Sequence, residues 1–150
     1  MSADNFSIRP ADPHDAAELA RLAAELGYPA SAAAMRLRLQ WLEGRDDAVL
    51  AAAAAGAPLL GWIHVGRRVA LESGECAEIL GLVVGAAARR LGVGKRLVAA
   101  AEAWSRDRGL DRIVVRSNAA RTESHRFYPA LEYALAKSQH VYQKTLAAGT

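Results

Sequence analysis

Two clusters of residues in this chain have the types and spacing that chemistry requires. The first is the turn Gly85 to Lys95, Gly-Ala-Ala-Ala-Arg-Arg-Leu-Gly-Val-Gly-Lys, set between the apolar run Ile79 to Val84 and an amphipathic stretch. The leading N–H groups of a helix have no partner inside it, and its dipole puts partial positive charge there, so main chain alone can bind a phosphate. Gly92 and Gly94 let the chain bend sharply and approach an anion, and Arg89, Arg90, Lys95 and Arg96 add charged donors. The second cluster is Arg126-Phe127-Tyr128, whose phenol can donate a proton, although composition alone favours reading Tyr128 as an amphipathic residue packed at a helix end with its hydroxyl in water or bonded to main chain.

Two common nucleotide signatures do not fit the turn. A dinucleotide turn needs a third glycine where Leu97 stands, and a Walker loop needs Ser or Thr where Arg96 stands. The pattern that fits is R-x-x-G-x-G, read as Arg89, Gly92 and Gly94 after a strand ending Leu82-Val83-Val84.

That arrangement resembles the coenzyme A loop of the GNAT-type N-acetyltransferase superfamily, and the resemblance runs from about Glu78 to Leu146. Ser117-Asn118, the Phe127-Tyr128 pair and Gln139 to Lys144 follow in the family's order. The resemblance implies an acetyl-CoA-dependent N-acetyltransferase acting on a primary amine of a small molecule, protein or peptide. It implies that main-chain groups of Leu82, Val83 and Val84 hold the pantetheine. Amides of Arg89, Arg90, Leu91, Gly92, Val93, Gly94 and Lys95 would hold the pyrophosphate, and Asn118 and Tyr128 would contact the coenzyme. The chain departs from the family in three places: Asn118 lies ten positions before Tyr128 rather than about seven, Pro129 follows Tyr128, and Ala130-Leu131-Glu132-Tyr133 lacks the usual glycine.

Acetyl transfer needs a neutral amine, yet a lysine of pKa about 10.4 is neutral at pH 7 in only about one molecule in a few thousand. A base must take a proton, and the leaving thiolate needs an acid. A phenol of pKa about 10 can protonate a thiolate near 8.5, which suits Tyr128 as the acid, the role the resemblance also implies. Glu78 is the candidate base, since it leads the strand whose far end meets the coenzyme. A solvated carboxylate at a strand start is an equal reading of Glu78. His64, His125 and His140 are scattered singly, and His125 is a secondary candidate for its closeness to Phe127-Tyr128. The turn departures leave a second function open, a coenzyme-binding regulatory module without turnover.

Composition sets the surroundings. With 150 residues, 52% hydrophobic and 23% charged, the chain suits one domain spanning 1–150. The formal charge of +3 and pI near 9.3 raise a nucleic-acid partner, but the arginines gather at the anion loop and the next strand, so none is expected. Cys76 stands alone, the first residues lack a signal peptide's pattern, and Val49 to Val65 is interrupted by Pro58 and glycines. These features predict a cytoplasmic protein with no membrane span. No metal-ligand spacing occurs, so no metal is expected. The resemblance also makes a homodimer plausible.

The elements that must position these residues read as an α/β (α+β) fold. Phe6 to Arg9 reads as a strand, followed by a helix capped by Asp12 with Pro13 at its first position and Gly27 at its end. A second helix spans Ser31 to Glu43, and the two are expected over one sheet face. Val49 to Ala55 and Leu59 to Val65 read as a hairpin, although alanine favours helix. Glu78 to Val84 has the apolar content of a central strand. The helix after the loop turns Val93, Leu97, Val98, Ala101 and Trp104 inward and ends at Gly109-Leu110. Arg112 to Arg116, Glu123 to Leu131 and Val141 to Leu146 complete the reading as strand, helix and strand. The resemblance implies a mixed, twisted sheet of about six to seven strands flanked by about four helices, with the fourth and fifth strands splayed.

Overall fold

Strand β1 (Ser7–Pro10) leads through a single 3-10 turn (Pro13–Asp15) into helix α1 (Ala16–Glu25), and the sequence signals for that start are all used. The Asp12 carboxylate accepts from the His14 amide (2.7 Å), and the Asp15 carboxylate accepts from the Asp12 amide (2.9 Å), a reciprocal capping box. In this computed structural model residues 5–117 and 122–148 are described, and they form two units, Met1–Arg116 and Ser117–Thr150.

The first unit continues with α2 (Ala32–Leu42), β2 (Asp47–Ala53), β3 (Gly61–Ala70), β4 (Gly74–Val84), a 3-10 turn (Ala86–Ala88), α3 (Val93–Asp107) and β5 (Ile113–Val115). The sheet runs in order β1-β2-β3-β4-β5, antiparallel throughout except that β5 lies parallel to β4. Ser31 caps α2 by accepting from the Ala34 amide (3.0 Å). The strands of the central hairpin, β3 and β4, run longer than the apolar runs suggest, because the backbone of Arg67 to Ala70 also pairs with Gly74 to Ala77, a stretch that includes the polar Arg67, Arg68 and Glu75.

Helices cover both faces. Leu19 and Leu22 of α1 pack with Ala51, Leu59 and Val83, and Met35 and Leu39 of α2 border that cluster. Trp62 on β3 points into this layer and donates Nε1–H to the Leu19 carbonyl (3.2 Å). The neighbouring Gly61 faces α3: a Cβ there would lie 2.6 Å from the Val83 carbonyl oxygen and 3.3 Å from Leu97 Cδ1. Val93, Leu97, Val98 and Ala101 of α3 are buried as expected. Trp104 is only half-buried, and the Arg108 guanidinium covers its ring at 4.0 Å. Gly109 is left-handed (φ +74) with Leu110 buried behind it, the expected glycine cap.

The second unit contains α4 (Thr122–Ala130), close to the helix expected at Glu123 to Leu131. Val141 to Leu146 forms no strand, so the described residues hold five strands rather than six or seven. The alternation of apolar residues there meets no paired neighbour, and Val141, Tyr142 and Leu146 are exposed. Among the described residues no helix is long and apolar enough to cross a membrane.

Two carboxylates tie the start of α1 to charge. Arg9 donates twice to Asp15 (2.8 and 2.9 Å), and this, more than the opposing burial, holds the Asp15 carboxyl below its usual range. Arg21 does the same for Glu18 (2.6 and 3.2 Å), with the Leu59 amide assisting (3.0 Å). A lowered folded-state pKa stabilises above the unfolded value, and that gain disappears as pH falls through the folded one. The urea midpoint should therefore hold steady from neutral pH down and drop below about pH 4. Asp15→Asn should cost about 1–3 kcal/mol at pH 7 and shallow the acid drop, both read from urea melts.

Candidate active site

The sheet opens where β4 loses its second neighbour. β5 pairs with Ala77, Glu78 and Ile79 only, and among the described residues no strand lies beside Leu80 to Val84 on that side. At the same point the β3–β4 register slips: His64 pairs with Gly81 and Val65 with Ile79, leaving Leu80 as the extra, bulged residue. A bulge sharpens the local twist and interrupts regular pairing, and β5 itself ends at Val115, opposite Ile79. Apolar composition did not reveal the bulge; its one sequence signal is Gly81 inside an apolar strand.

The far half of β4 delivers the chain into the anion loop. The Gly85 amide donates to the Leu60 carbonyl (2.8 Å), and the Ala86 amide donates to Glu25 Oε2 (3.1 Å), so the end of α1 fixes the loop's start. Arg90 (φ +68) and Gly92 (φ +78) are both left-handed. Left-handed residues alternating with ordinary ones turn successive amides toward one side, the concave arrangement that binds anions. The helical ladder of α3 begins with the Arg96 amide donating to the Gly92 carbonyl (3.1 Å), so the amides of Val93, Gly94 and Lys95 lie ahead of it. Arg89, Arg90 and Lys95 are exposed around this mouth. Arg96 is employed elsewhere: it donates to the Phe6 carbonyl (2.9 Å) and its guanidinium covers the Phe6 ring at 4.1 Å.

Glu78 is buried on β4 just before the bulge. Its Oε1 accepts from Arg68 Nη1 (2.6 Å) and from Arg116 Nε (3.0 Å). It is thus not a solvated carboxylate at a strand start, and the strand itself begins earlier, at Gly74. The two arginines were not singled out by sequence reasoning, because only pairing of β3, β4 and β5 brings them beside one carboxylate. His64 Nε2 lies 2.7 Å from Asp47 Oδ2, and His140 stacks on Tyr142 in the second unit. His125 is exposed on α4. Among the described residues no group of three or more His, Cys, Asp or Glu could hold a metal.

Tyr128 is half-buried on α4, with its ring edge-to-face against Phe127 (5.0 Å between centroids) and Tyr133 (5.7 Å). The turn that follows has the geometry a glycine would give. Glu132 is left-handed (φ +70), the Tyr133 amide donates to the Tyr128 carbonyl (3.0 Å), and the Glu132 amide donates to the Pro129 carbonyl (3.0 Å). This is a Schellman closure with glutamate in the position that glycine favours. Asn118 lies outside the described residues.

A split strand running into a nest of amides at a helix start is the geometry expected of an acyl-CoA site, and the sequence profile of the acetyltransferase (GNAT) family matches residues 15–133. The chain belongs to the acetyltransferase (GNAT) family. As a GNAT acetyltransferase it is an acyltransferase enzyme whose family takes its acetyl group from acetyl-CoA. Solved structures share the fold of this GNAT chain. A transcriptional regulator from Bacillus halodurans C-125 is 23% identical with a TM-score of 0.81, covering 93% of this chain and 99% of that one. An aminoglycoside antibiotic 6'-N-acetyltransferase from Acinetobacter haemolyticus is 19% identical, with a TM-score of 0.80 and coverage of 94% and 99%. The aminoglycoside acetyltransferase AAC(6')-Iy, solved with a bisubstrate analogue of coenzyme A and acetylneamine, is 22% identical, with a TM-score of 0.80 and the same coverage. No curated protein matches the sequence.

Two substitutions test the strained positions. Glu132→Gly should raise stability by about 1 kcal/mol, because a left-handed residue with a Cβ costs about 1–2 kcal/mol. Gly92→Ala should cost about 1–2 kcal/mol although nothing lies within 4 Å of the added Cβ, since only the backbone angle opposes it. Differential scanning calorimetry on both variants reads the opposite signs.

Proposed function

We propose that residues 1–150 act as one acyl-CoA N-acetyltransferase domain that moves acetyl from acetyl-CoA to a primary amine by direct attack. The observation that carries this reading is the end of β4–β5 pairing at Ile79, after which β4 leads through the 3-10 turn Ala86–Ala88 into the amide nest at Arg90 to Lys95. Main-chain groups of Leu82 to Val84 then pair with the amide-bearing pantetheine arm as a missing strand would. Within Arg90 to Lys95 the amides of Arg90, Gly92, Val93, Gly94 and Lys95 hold the pyrophosphate, those of Arg89 and Leu91 being donated to the Ala86 (3.4 Å) and Ala88 (3.3 Å) carbonyls, and Asn118 adds a coenzyme contact.

In the reaction the amine nitrogen attacks the thioester carbonyl carbon, the carbon–sulfur bond breaks, and the sulfur leaves as a thiolate. Glu78 removes the amine proton through water. Both arginines sit on its Oε1, so Oε2 is the oxygen that works as base. Tyr128 returns a proton to the thiolate. The solved complex of AAC(6')-Iy with a coenzyme A bisubstrate analogue supports an amine acceptor for this fold.

A coenzyme-binding module without turnover is the second reading, and its sequence basis was the altered turn after Tyr128. The Schellman closure at Glu132 supports turnover instead, because it preserves the backbone path that glycine would give. Thiol release from acetyl-CoA over a panel of amines separates the two. Tyr128→Phe and Glu78→Gln should each lower kcat by about 10²–10⁴-fold, far more than either changes the calorimetric Kd for CoA. Saturable CoA binding without thiol release from any amine would favour the second reading.

A further inference from the structure

Helix α2 carries apolar residues on two sides, and only one side is covered. None of its 11 residues is buried. Met35 and Leu39 face inward and border the core cluster. On the opposite side Leu37 and Trp41 are 46% and 63% exposed. With Ala33, which is also exposed, they recur every fourth residue and form one stripe along the outside of the helix. A surface helix that packs by one face ordinarily carries polar residues there.

Charge borders the stripe on both sides. Arg36 and Arg38 flank Leu37 in sequence, which sets each about 100° around the helix from it, one on either side. Glu43 follows Arg36 by two turns along the same side, at the C-terminal cap of the helix. All three are exposed, and among the described residues none of their side chains makes a hydrogen bond or an ion pair.

A second copy of the same helix complements this pattern. In a two-fold arrangement a patch meets itself, and every contact occurs twice. With α2 antiparallel to α2 and the axis crossing between Leu39 and Gln40, Arg36 comes beside the partner's Glu43. Leu37 then packs against the partner's Trp41, and Arg38 on the other border reaches over that ring. Within the chain, Arg108 covers Trp104 in the same manner (4.0 Å). A parallel pairing would instead bring arginines together along both borders. An anionic lipid surface would meet Glu43 as well as the arginines.

We infer that this protein forms a two-fold dimer through the outer face of α2, with Leu37 and Trp41 at the centre and Arg36 paired to the partner's Glu43 at the edges. The inference does not depend on acetyl transfer. A helix of 11 residues is only about 16 Å long, so the contact falls short of the roughly 800 Å² per partner of a standard interface, and the dimer is weak and reversible.

Sedimentation equilibrium of the full-length protein tests this. The mass should rise from one chain toward two across roughly 1–100 μM. Trp41→Glu should hold it at one chain with an unchanged circular dichroism spectrum, since the side chain is exposed. Arg36→Glu and Glu43→Arg should each weaken association about tenfold or more, because each change puts like charges together twice. Mixed in equal amounts, these two variants should regain wild-type association, since both edges of the mixed pair again join opposite charges. A protein that stays at one chain near about 1 mM, a dimer indifferent to Trp41→Glu, or no recovery in the mixture would overturn the inference. So would monomeric protein that binds phosphatidylglycerol vesicles and loses that binding in Trp41→Glu, which would assign the stripe to a lipid surface.

Discussion

A β-strand with a hydrogen-bonded neighbour on only one side is the constraint on which the proposed active site depends. From Gly74 to Ile79, β4 is central, with β3 on one side and, at Ala77 to Ile79, β5 on the other. Beyond the bulge at Leu80, β3 is its only paired neighbour among the described residues. In the proposed transferase, main-chain groups that would satisfy a neighbour in an ordinary sheet meet the ligand, and an extended arm rich in amides is the chemical form that can replace a strand. The bulge makes this local: it bends half of one strand without disturbing the pairing of the other half.

Everything around that opening serves to keep it still. α1 and α3 clamp β4 from opposite faces, and Gly61 leaves room for the β4 backbone beneath α3, since a Cβ there would lie 2.6 Å from the Val83 carbonyl oxygen and 3.3 Å from Leu97 Cδ1. The Glu25 carboxylate reaches from the end of α1 to the Ala86 amide, so the helix that builds one core layer also sets where the anion loop begins. Arg96 anchors the first turn of α3 to Phe6, near the start of the chain. A loop that must present amides in fixed directions is thus held at both ends by groups far away in sequence.

Charge is distributed with the same division of labour. At the start of α1, Arg9 and Arg21 hold carboxylates that shape the cap and the packing of Leu59. At the centre of the sheet, Arg68 and Arg116 hold Glu78, but they remain half-exposed. The first arrangement stabilises a helix start. The second holds a buried carboxylate in place across three strands.

Local physics was legible in the residues themselves. The capping box at Asp12 and Asp15, the glycine cap at Gly109, the apolar stripe of α3 and the R-x-x-G-x-G loop each depend on neighbours within a turn or two, so spacing alone determined them. The alanine-rich strand β2 shows where that logic reaches its edge: alanine favours helix, yet Ala51 and Ala52 are fully buried between the layers, where a small side chain lets the helices close on the sheet. What only the tertiary structure decided is long-range. The slip in register at Leu80, the end of β5 pairing at Ile79 and the meeting of Arg68, Glu78 and Arg116 arise from strands 10 and 38 residues apart in the chain. The left-handed Glu132 belongs with them, because the closing bonds of that turn, not the identity of the residue, set its backbone. Sequence fixes which groups exist and their local conformation; pairing between distant strands fixes which of them meet.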